Sequence, residues 1–389
     1  MNFDETVNRR HTNSYKWDSR GDVTQDMIPL WVADMDFKAC EPIMEALRRR
    51  VEHGVFGYTF VPDEYYDAIC NWFDKYHGWN IHASQIIYTS GVVPALSAII
   101  QALTMPGDKV IVQTPVYNCF FSSIRNAGCE PYESALICPD GDTYIMDMQD
   151  LERKASDPKC TLMLLCNPHN PGGRVWRRGE LERVAEICAA NSVTVVSDEI
   201  HCELVFGANR YVPFATVAGD CKWVGCISPS KAFNIAGLQI ANIVAEDPEL
   251  RRRIDRMINR NEVCDVNPFG VVALMAAYNE GRPWLEDLLG YLWGNYEVLK
   301  DKFNRELPEF PVFQLEGTYL AWIDCRCIDM PSADLEEYLI EKCGVWVNAG
   351  SMYGADGEGF IRINLACPRS RLIEGLDRLI PALKKLILC

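Results

Sequence analysis

Long hydrophobic segments are missing from this sequence of 389 residues. No apolar run approaches the roughly 18–20 residues that a helix needs to cross a bilayer. The first residues, MNFDETVNRRHTNSYKW, are polar and lack the apolar core of a secretory signal. We therefore expect a cytoplasmic protein with no membrane span and no membrane partner.

The sequence has fewer basic residues than acidic residues. The chain has 38 Lys and Arg against 54 Asp and Glu, which gives a net charge of -16 at pH 7. Nucleic-acid phosphates and anionic lipid surfaces repel such a protein. The composition therefore argues against a nucleic-acid or membrane partner.

Paired cysteines of the kind that bind metals are also missing. The 17 cysteines are an odd number, and none forms a C-x-x-C pair. Cys325 and Cys327 are too isolated to define a zinc site, so we expect no metal. Many cysteines lie inside apolar runs, for example Cys166, Cys188 and Cys226. This pattern is typical of reduced, buried thiols that pack as small hydrophobic groups.

Short apolar runs alternate with amphipathic helical stretches from Ile86 onward. The runs are IIYTS, VIVQT, TLMLLC, VTVVS, WVGCI and IANIV. Stretches such as RGELERVAEICAAN lie between most of them. This alternation is typical of βαβ units, and it predicts an α/β fold with a mostly parallel, doubly wound sheet.

The length of the chain favours two domains. We expect residues 51–285 to form the large domain and residues 286–389 a smaller α+β domain, with residues 1–50 joining the small domain. A helix is predicted over EPIMEALRRRV, ending near Gly54, and a long helix from Pro283 to about Phe303 leaves the large domain. We find no internal repeat and no low-complexity linker.

Polar clusters follow four of the predicted strands. Asn167–Gly173 (NPHNPGG) follows TLMLLC, Asp198–His201 follows VTVVS, Ser228–Lys231 follows WVGCI, and Ser90–Val93 follows IIYTS and opens a helix. Ligands of open parallel sheets bind beyond the carboxyl ends of the strands. The four clusters therefore predict one site at one edge of the sheet.

Each cluster suits one part of pyridoxal 5'-phosphate. Lys231 can form an imine with the cofactor aldehyde. Asp198 would face the pyridine nitrogen and keep the ring protonated, since an adjacent carboxylate raises the pKa of that nitrogen. Asn170 could donate its amide to the phenolate oxygen of the ring. Tyr117 could stack on the ring face.

The phosphate group needs hydrogen-bond donors. The loop Gly91, Val92 and Val93 would offer backbone N–H groups at the start of a helix, where anions bind readily. Ser228 and Ser230 could add hydroxyl donors. These five residues complete the predicted cofactor site.

Each cluster taken alone has an ordinary structural interpretation. A lysine after an apolar run is usually solvated, N-P-x-N-P is most often a turn, and S-G before a helix is usually an N-cap. D-E-x-H could be a metal pair, but no third ligand is evident nearby. The cofactor interpretation depends on the conjunction, because all four occur in order at strand ends with complementary roles.

The segments NPHNPGG, SDEIH and SPSKAFNIAGLQ resemble the fold type I pyridoxal-phosphate enzymes of the class I/II aminotransferase superfamily. The resemblance covers nearly the whole chain. Within that superfamily, IPLWVADMDF, HGVFGYT and SPSKAFNIAGLQ resemble the carbon–sulfur β-lyase branch, the MalY/PatB-type cystathionine β-lyases. This closer match is less specific than the match to the superfamily.

The resemblance implies a role for each residue. Lys231 is the Schiff-base lysine, Asp198 the partner of the ring nitrogen, Asn170 the donor to the ring oxygen, and Tyr117 lies over the ring. Arg362, in GFIRINL, clamps the substrate α-carboxylate, which its planar guanidinium can bind bidentately. Without the resemblance, Arg362 would be assigned to the surface of an edge strand.

The resemblance also implies a homodimer with shared active sites, because Tyr58 matches a tyrosine that reaches the phosphate of the neighbouring subunit. The aromatic segment FGYTF could equally be core packing. Two positions depart from mainstream aminotransferases: Gln239 stands where many carry an arginine, and His201 where many carry a tyrosine. Both departures fit the lyase branch, and the protonation state of His201 could tune the site.

We therefore expect a pyridoxal-phosphate-dependent carbon–sulfur β-lyase. Its substrate would be cystathionine or a cysteine S-conjugate, and its products a thiol, pyruvate and ammonia. The main alternative is an aminotransferase, since fold alone does not decide the chemistry. A catalytically silent regulator is a further alternative, but the chain retains every group of the imine site.

Overall fold

The computed structural model describes residues 1–20 and 26–387 of the chain. In those residues the helices are α1 Tyr15–Asp18, α2 Glu41–His53, α3 Asp63–His77, α4 Val92–Leu103, α5 Cys119–Asn126, α6 Met148–Ala155, α7 Arg178–Ala190, α8 Pro248–Arg260, α9 Pro268–Glu280, α10 Arg282–Glu306, α11 Ser332–Cys343 and α12 Arg369–Ile387. The strands are β1 Ile28–Pro29, β2 Ile86–Thr89, β3 Lys109–Val112, β4 Glu130–Glu133, β5 Cys160–Cys166, β6 Thr194–Asp198, β7 Trp223–Ile227, β8 Ala241–Val244, β9 Leu320–Asp324, β10 Val345–Trp346, β11 Asn348–Ala349 and β12 Phe360–Asn364.

A seven-stranded sheet has the strand order β2-β8-β7-β6-β5-β3-β4. Its strands pair in parallel except β8, which is antiparallel to both of its neighbours. All six predicted apolar runs form strands, and the mostly parallel sheet is confirmed. The edge strand β4 was not predicted, because its sequence EPYE has no apolar run and both of its glutamates are exposed.

The predicted helices form because their apolar positions recur on one face. In α2, Ile43 and Ala46 are buried at a spacing of three residues, while the charged positions face solvent. The helix ends at Gly54, whose φ of +73° is the left-handed conformation that glycine favours at this position. The long helix predicted from Pro283 is α10, which extends to Glu306.

The C-terminal region contains a three-stranded antiparallel sheet in the order β11-β12-β9. Strand β1 of the N-terminal segment pairs in parallel with β10 of this region, with Ile28 opposite Val345. The N-terminal segment therefore contacts the C-terminal part of the chain. The proposed limits of the three segments at residues 50 and 285 stay a prediction.

No helix in the described parts of the chain is both long enough and apolar enough to cross a bilayer.

Candidate active site

The carboxyl ends of β2, β5, β6 and β7 meet at one edge of the seven-stranded sheet, because β2 and β7 each run antiparallel to β8. A cavity of about 510 Å³ opens at this edge. Its lining includes every predicted site residue except Ser228 and Tyr58, namely Gly91, Val92, Val93, Tyr117, Asn170, Asp198, His201, Ser230, Lys231 and Arg362. The tertiary structure thus brings together residues that are up to 271 positions apart in sequence, from Gly91 to Arg362.

Lys231 follows β7 and is half-buried at the wall of the cavity. Its Nζ donates a hydrogen bond of 2.7 Å to the carbonyl oxygen of Ala33, which also accepts a 2.9 Å bond from the hydroxyl of Tyr319. Burial lowers the pKa of Lys231 to about 8, against the opposing effect of the nearby Asp34 carboxylate. A neutral amine is therefore accessible close to neutral pH.

Asp198 is the last residue of β6, and only 3% of it is exposed. Its Oδ1 accepts a 3.2 Å hydrogen bond from the backbone N–H of Ile200, and burial raises the pKa of the carboxyl to about 7. No lysine or arginine of the described residues forms an ion pair with it. A buried carboxylate without a cationic partner is costly, so this position fits the protonated nitrogen of a pyridine ring.

His201 and Asn170 lie beside these two groups. His201 is buried, and its Nδ1 has no hydrogen-bond partner within the residues described. Burial, reinforced by the charges of Lys231 and Arg362, lowers the pKa of His201 well below its usual value. The imidazole is therefore neutral around pH 7, which argues against the hypothesis that a change in its protonation tunes the site. The Oδ1 of Asn170 accepts from Arg362, so its amide nitrogen is the group left to donate.

The start of α4 forms the opposite end of the cavity. Val92 is its first residue, and the first N–H groups of a helix have no acceptor within the helix. Gly91 precedes it in an extended conformation, and a Cβ at this position would lie only 3.3 Å from Cδ of Pro94. These N–H groups fit a phosphate, and Ser230 adds a side chain to the same cavity.

Ser228 has a different environment from the one expected. Its hydroxyl donates a 2.6 Å hydrogen bond to the carbonyl oxygen of Ile240 and accepts one of 3.1 Å from the backbone N–H of Ser230. It is buried and does not line the cavity. Because its one proton is already engaged, its geometry supports a role in holding the turn that carries Ser230 and Lys231, rather than donation to the phosphate.

Arg362 lies on β12, the central strand of the three-stranded sheet, and is 4% exposed. The alternative of a surface residue on an edge strand is therefore wrong. Its guanidinium donates to Asn170 Oδ1 at 3.0 Å, to the Trp31 carbonyl oxygen at 2.8 Å and to Asn348 Oδ1 at 2.7 Å, while its Nε has no partner. No carboxylate of the described chain pairs with it, so this buried cation fits the α-carboxylate of an amino acid.

Tyr117 and Tyr58 differ in their surroundings. Tyr117 is half-buried at the cavity, and burial raises the pKa of its phenol well above the usual value, so the phenol is neutral. Tyr58 lies between α2 and α3 and is fully exposed in the single chain. Stacking by Tyr117 and the contact of Tyr58 with a second subunit stay predictions.

Sequence reasoning missed the contribution of the N-terminal segment. Trp31 and Ala33 offer backbone carbonyls to Arg362 and Lys231, and Asn348 holds the guanidinium from the other side. The run IPLWVADMDF was recognised as an apolar island and as part of a resemblance, but backbone acceptors leave no signature in a sequence. The pairing of β1 with β10 holds this segment at the cavity, together with the hydrogen bonds that Asn364 donates to the carbonyl oxygens of Val32 and Asp34.

Comparison with known proteins agrees with this geometry. The family model for aminotransferase class I and II matches residues 25–379. The chain belongs to this family. The fold type I architecture expected from the sequence is thereby confirmed.

Three relatives are similar over almost their whole length. Cystathionine beta-lyase PatB of Bacillus subtilis is 41% identical, with 98% of this chain and 100% of that protein covered. The structure of cystalysin from Treponema denticola, which contains pyridoxal 5'-phosphate, has a TM-score of 0.95 at 35% identity, with 99% of each chain covered. The pyridoxal-phosphate-bound C-S lyase from Staphylococcus hominis has a TM-score of 0.92 at 34% identity, with 98% of this chain and 99% of that chain covered.

Proposed function

We propose that this chain is a pyridoxal-phosphate-dependent carbon–sulfur β-lyase, which converts a cysteine S-conjugate such as cystathionine to a thiol, pyruvate and ammonia. The observation that carries the proposal is the combination, in one cavity, of an amine with a lowered pKa, a buried carboxyl group without a cationic partner and a buried guanidinium without a carboxylate among the described residues. The names of the similar proteins support the same reaction.

The residues present fit the cofactor. Lys231 would bind it covalently, Asp198 would pair with the ring nitrogen, and Asn170 would donate to the ring oxygen. The first N–H groups of α4 and the side chain of Ser230 would hold the phosphate. When bound, pyridoxal phosphate supplies the electron sink that makes the Cα proton of an amino acid removable.

The side chains of the cavity then perform three tasks. Arg362 binds the α-carboxylate and so fixes the position of Cα. Lys231, as a neutral amine, takes the Cα proton, and its lowered pKa favours this state. The Cβ–S bond breaks with its electron pair leaving on sulfur, which is protonated to the thiol. One water is consumed as the remaining fragment becomes pyruvate and ammonia.

An aminotransferase is the second candidate, favoured by the name of the family. It would use the same groups up to removal of the Cα proton. The two reactions would separate afterwards, because elimination would release the sulfur substituent from Cβ as a thiol, whereas transamination would keep that substituent and consume a keto acid as second substrate.

The partition between these routes is the test. We expect cystathionine to give thiol and pyruvate at least about tenfold faster than alanine gives pyruvate with 2-oxoglutarate, a margin of about 1.4 kcal/mol in barrier. The measurement is pyruvate release with and without the keto acid, together with free thiol. Rapid transamination with negligible thiol release would contradict the lyase and leave the cofactor assignment intact.

We further infer a homodimer. A pocket of about 540 Å³ lies between α2 and α9, and five large apolar side chains at the end of α2 and in the segment that follows it are exposed in the single chain. They are Val51, Val55, Phe56, Tyr58 and Phe60. A short segment with this many exposed apolar side chains is typical of an interface, which would bring Tyr58 to a second copy. Sedimentation at low concentration tests this, since a fully active monomer would contradict it.

A cytoplasmic location is supported by the cysteines. Those of the described residues are all free, and most of them are buried. Reduced thiols in this number are typical of a reducing compartment.

A further inference from the structure

The distribution of charge around the cavity bears on the choice of substrate. Among the described residues that line it, the cationic side chains are Lys231 and Arg362, and the acidic one is Asp198. Under the proposed function all three are engaged, by the cofactor and by the α-carboxylate. No further charged side chain lines the cavity in this part of the chain to receive a second charged group of a substrate.

The wall next to Arg362 carries aromatic and apolar side chains beside the amide of Asn348 and the hydroxyl of Tyr353, which has no partner among the described residues. The ring of Tyr353 lies 5.0 Å below the guanidinium carbon, and Trp31 contacts Arg362 through its backbone. Tyr15 packs against Trp31 with ring centroids 5.1 Å apart and is 70% exposed. Met352 is 42% exposed, and its sulfur lies 3.7 Å from the amide nitrogen of Asn348. This wall, made of Tyr15, Trp31, Met352 and Tyr353, is called the apolar wall below.

The apolar wall is held in place by contacts outside the cavity. Trp31 stacks on Trp346 at a centroid distance of 4.0 Å, and its indole N–H donates to the backbone carbonyl of Lys16 at 3.1 Å. An aromatic surface fixed in this way loses little conformational entropy when a ligand packs on it. Trp31 and Tyr353 are only 8% and 1% exposed, so the part of the wall open to an apolar group is formed by Tyr15 and Met352, with Trp31 fixed behind them.

Cystathionine is poorly matched to such a wall. The group that leaves with its sulfur carries an ammonium and a carboxylate, and removing these charges from water without partners is unfavourable. An aromatic or aliphatic group on sulfur gains from the same contact, because burial of apolar surface is favourable.

We propose, on the basis of the proposed lyase function, that this chain prefers cysteine S-conjugates with an apolar, aromatic S-substituent over cystathionine. The specificity is set by Tyr15 and Met352 at the mouth of the cavity and by Trp31 behind them. A second subunit in the inferred dimer does not change the charge balance through its Tyr58 segment, since residues 54–61, GVFGYTFV, carry no charge.

Kinetics and binding of the holoenzyme test this preference. We expect kcat/KM for S-benzyl-L-cysteine to exceed that for L-cystathionine by at least about tenfold, with pyruvate as the common product. Binding is measured separately with the analogues in which CH2 replaces sulfur, 2-amino-5-phenylpentanoate and 2,7-diaminooctanedioate. Neither has a Cβ–S bond, so their dissociation constants report the cavity without the elimination step, and the phenyl analogue should bind at least about tenfold tighter.

Charged variants at the mouth sharpen the test. Met352→Arg adds a cation that can meet the distal carboxylate of cystathionine, and we expect the ratio of the two kcat/KM values to move toward cystathionine by about fivefold, the size of an exposed ion pair. Tyr15→Arg should shift the ratio of the two kcat/KM values in the same direction. It keeps the test valid if Met352→Arg does not fold. Met105→Arg is the matched control, because Met105 is 70% exposed and follows the end of α4 that is remote from the cavity.

The outcomes are distinguishable. Two results together support the proposal. The phenyl analogue binds more tightly than 2,7-diaminooctanedioate, and the ratio of the two kcat/KM values shifts in both mouth variants but not in Met105→Arg. Equal or tighter binding of 2,7-diaminooctanedioate overturns the preference even if pyruvate is released from cystathionine. Absence of pyruvate from both conjugates contradicts the lyase itself, and the specificity proposal, which rests on it, falls with it.

Discussion

The cavity has two halves that are built in different ways. The cofactor half consists of strand-end residues of the seven-stranded sheet, with Asp198 ending β6 and Lys231 following β7. The carboxylate half consists of Arg362 on the three-stranded sheet and of backbone groups from the N-terminal segment around Trp31. In the cofactor half, the local sequence places the polar side chains at one edge of the seven-stranded sheet. The carboxylate half exists only because distant segments of the chain pack together.

The carboxylate half depends on an anchored N-terminal segment. Lys16 is fully buried and pairs with Asp36 at 3.2 Å, while Arg9 contacts Asp36 at 2.7 Å. These cations outweigh the effect of burial and lower the pKa of Asp36. Asn364 donates to the carbonyl oxygens of Val32 and Asp34 on either side of Ala33. The wall that meets the substrate is therefore fixed by buried polar contacts.

This difference has a kinetic consequence. Under the proposed function, groups of the cofactor half would act on the reacting atoms, so changes there are expected to lower kcat. Groups of the carboxylate half would hold the substrate, so changes there are expected to act on KM and kcat/KM. The predictions below test this division, from the largest expected effect to the smallest.

Removal of the amine should have the largest effect. Lys231→Ala is expected to lower turnover by about a thousandfold or more, because it removes both the covalent attachment and the general base. Steady-state pyruvate release measures it, with Lys222→Ala as the control since that side chain is 64% exposed. Borohydride reduction of the unmodified protein should fix the cofactor on Lys231, and a labelled peptide elsewhere would refute the assignment.

Loss of the ring partner should come next. Asp198→Asn keeps the shape of the side chain and removes its charge, so the ring nitrogen is less protonated and kcat should fall by about a hundredfold. Substrate binding should change little, because Arg362 is untouched. Kinetics of this variant and of the exposed control Asp220→Asn measure the effect. Near-normal turnover would show that the electron sink does not rely on Asp198.

The carboxylate half should respond differently. Arg362→Ala is expected to lower kcat/KM by about fiftyfold, through loss of charge-assisted hydrogen bonds to the α-carboxylate, with most of the change in KM. Lyase and transamination rates should fall together, because both substrates present the same carboxylate. Arg178→Ala, 58% exposed, is the matched control. A fall in kcat alone would contradict the division between the halves.

The smallest effect concerns pH. Since burial lowers the pKa of Lys231 to about 8, its neutral fraction rises about tenfold between pH 7 and pH 9 and then levels off. The rate at which cofactor-free protein captures pyridoxal phosphate covalently should follow that fraction, as monitored by absorbance. A rate that continues to rise to the ordinary lysine pKa near 10.5 would show that burial does not act on this amine.

Prediction from sequence succeeded where one side chain follows one strand. Asn170 and Lys231 each lie four residues beyond the end of a buried strand and Asp198 ends one, so the rule for parallel sheets assigns all three to one edge. Prediction from sequence was less successful for Ser228, which was expected to donate to the phosphate. Its position in the sequence fits that role, but its hydroxyl donates to the carbonyl oxygen of Ile240 instead. Prediction from sequence missed Asn348 and Ala33, because their roles come from a side-chain amide and a backbone carbonyl that resemble any others in the sequence.

The sequence by itself determined the alternation of strands and helices, the order of the strand-end residues and hence the cofactor half of the cavity, because these depend on local hydrophobic periodicity. The tertiary structure alone decided that Arg362 is buried, that His201 is neutral and that the apolar wall lies beside the guanidinium. Burial and the approach of segments more than 300 residues apart, such as Trp31 and Arg362, set these properties. Neither quantity is encoded in any one stretch of the chain.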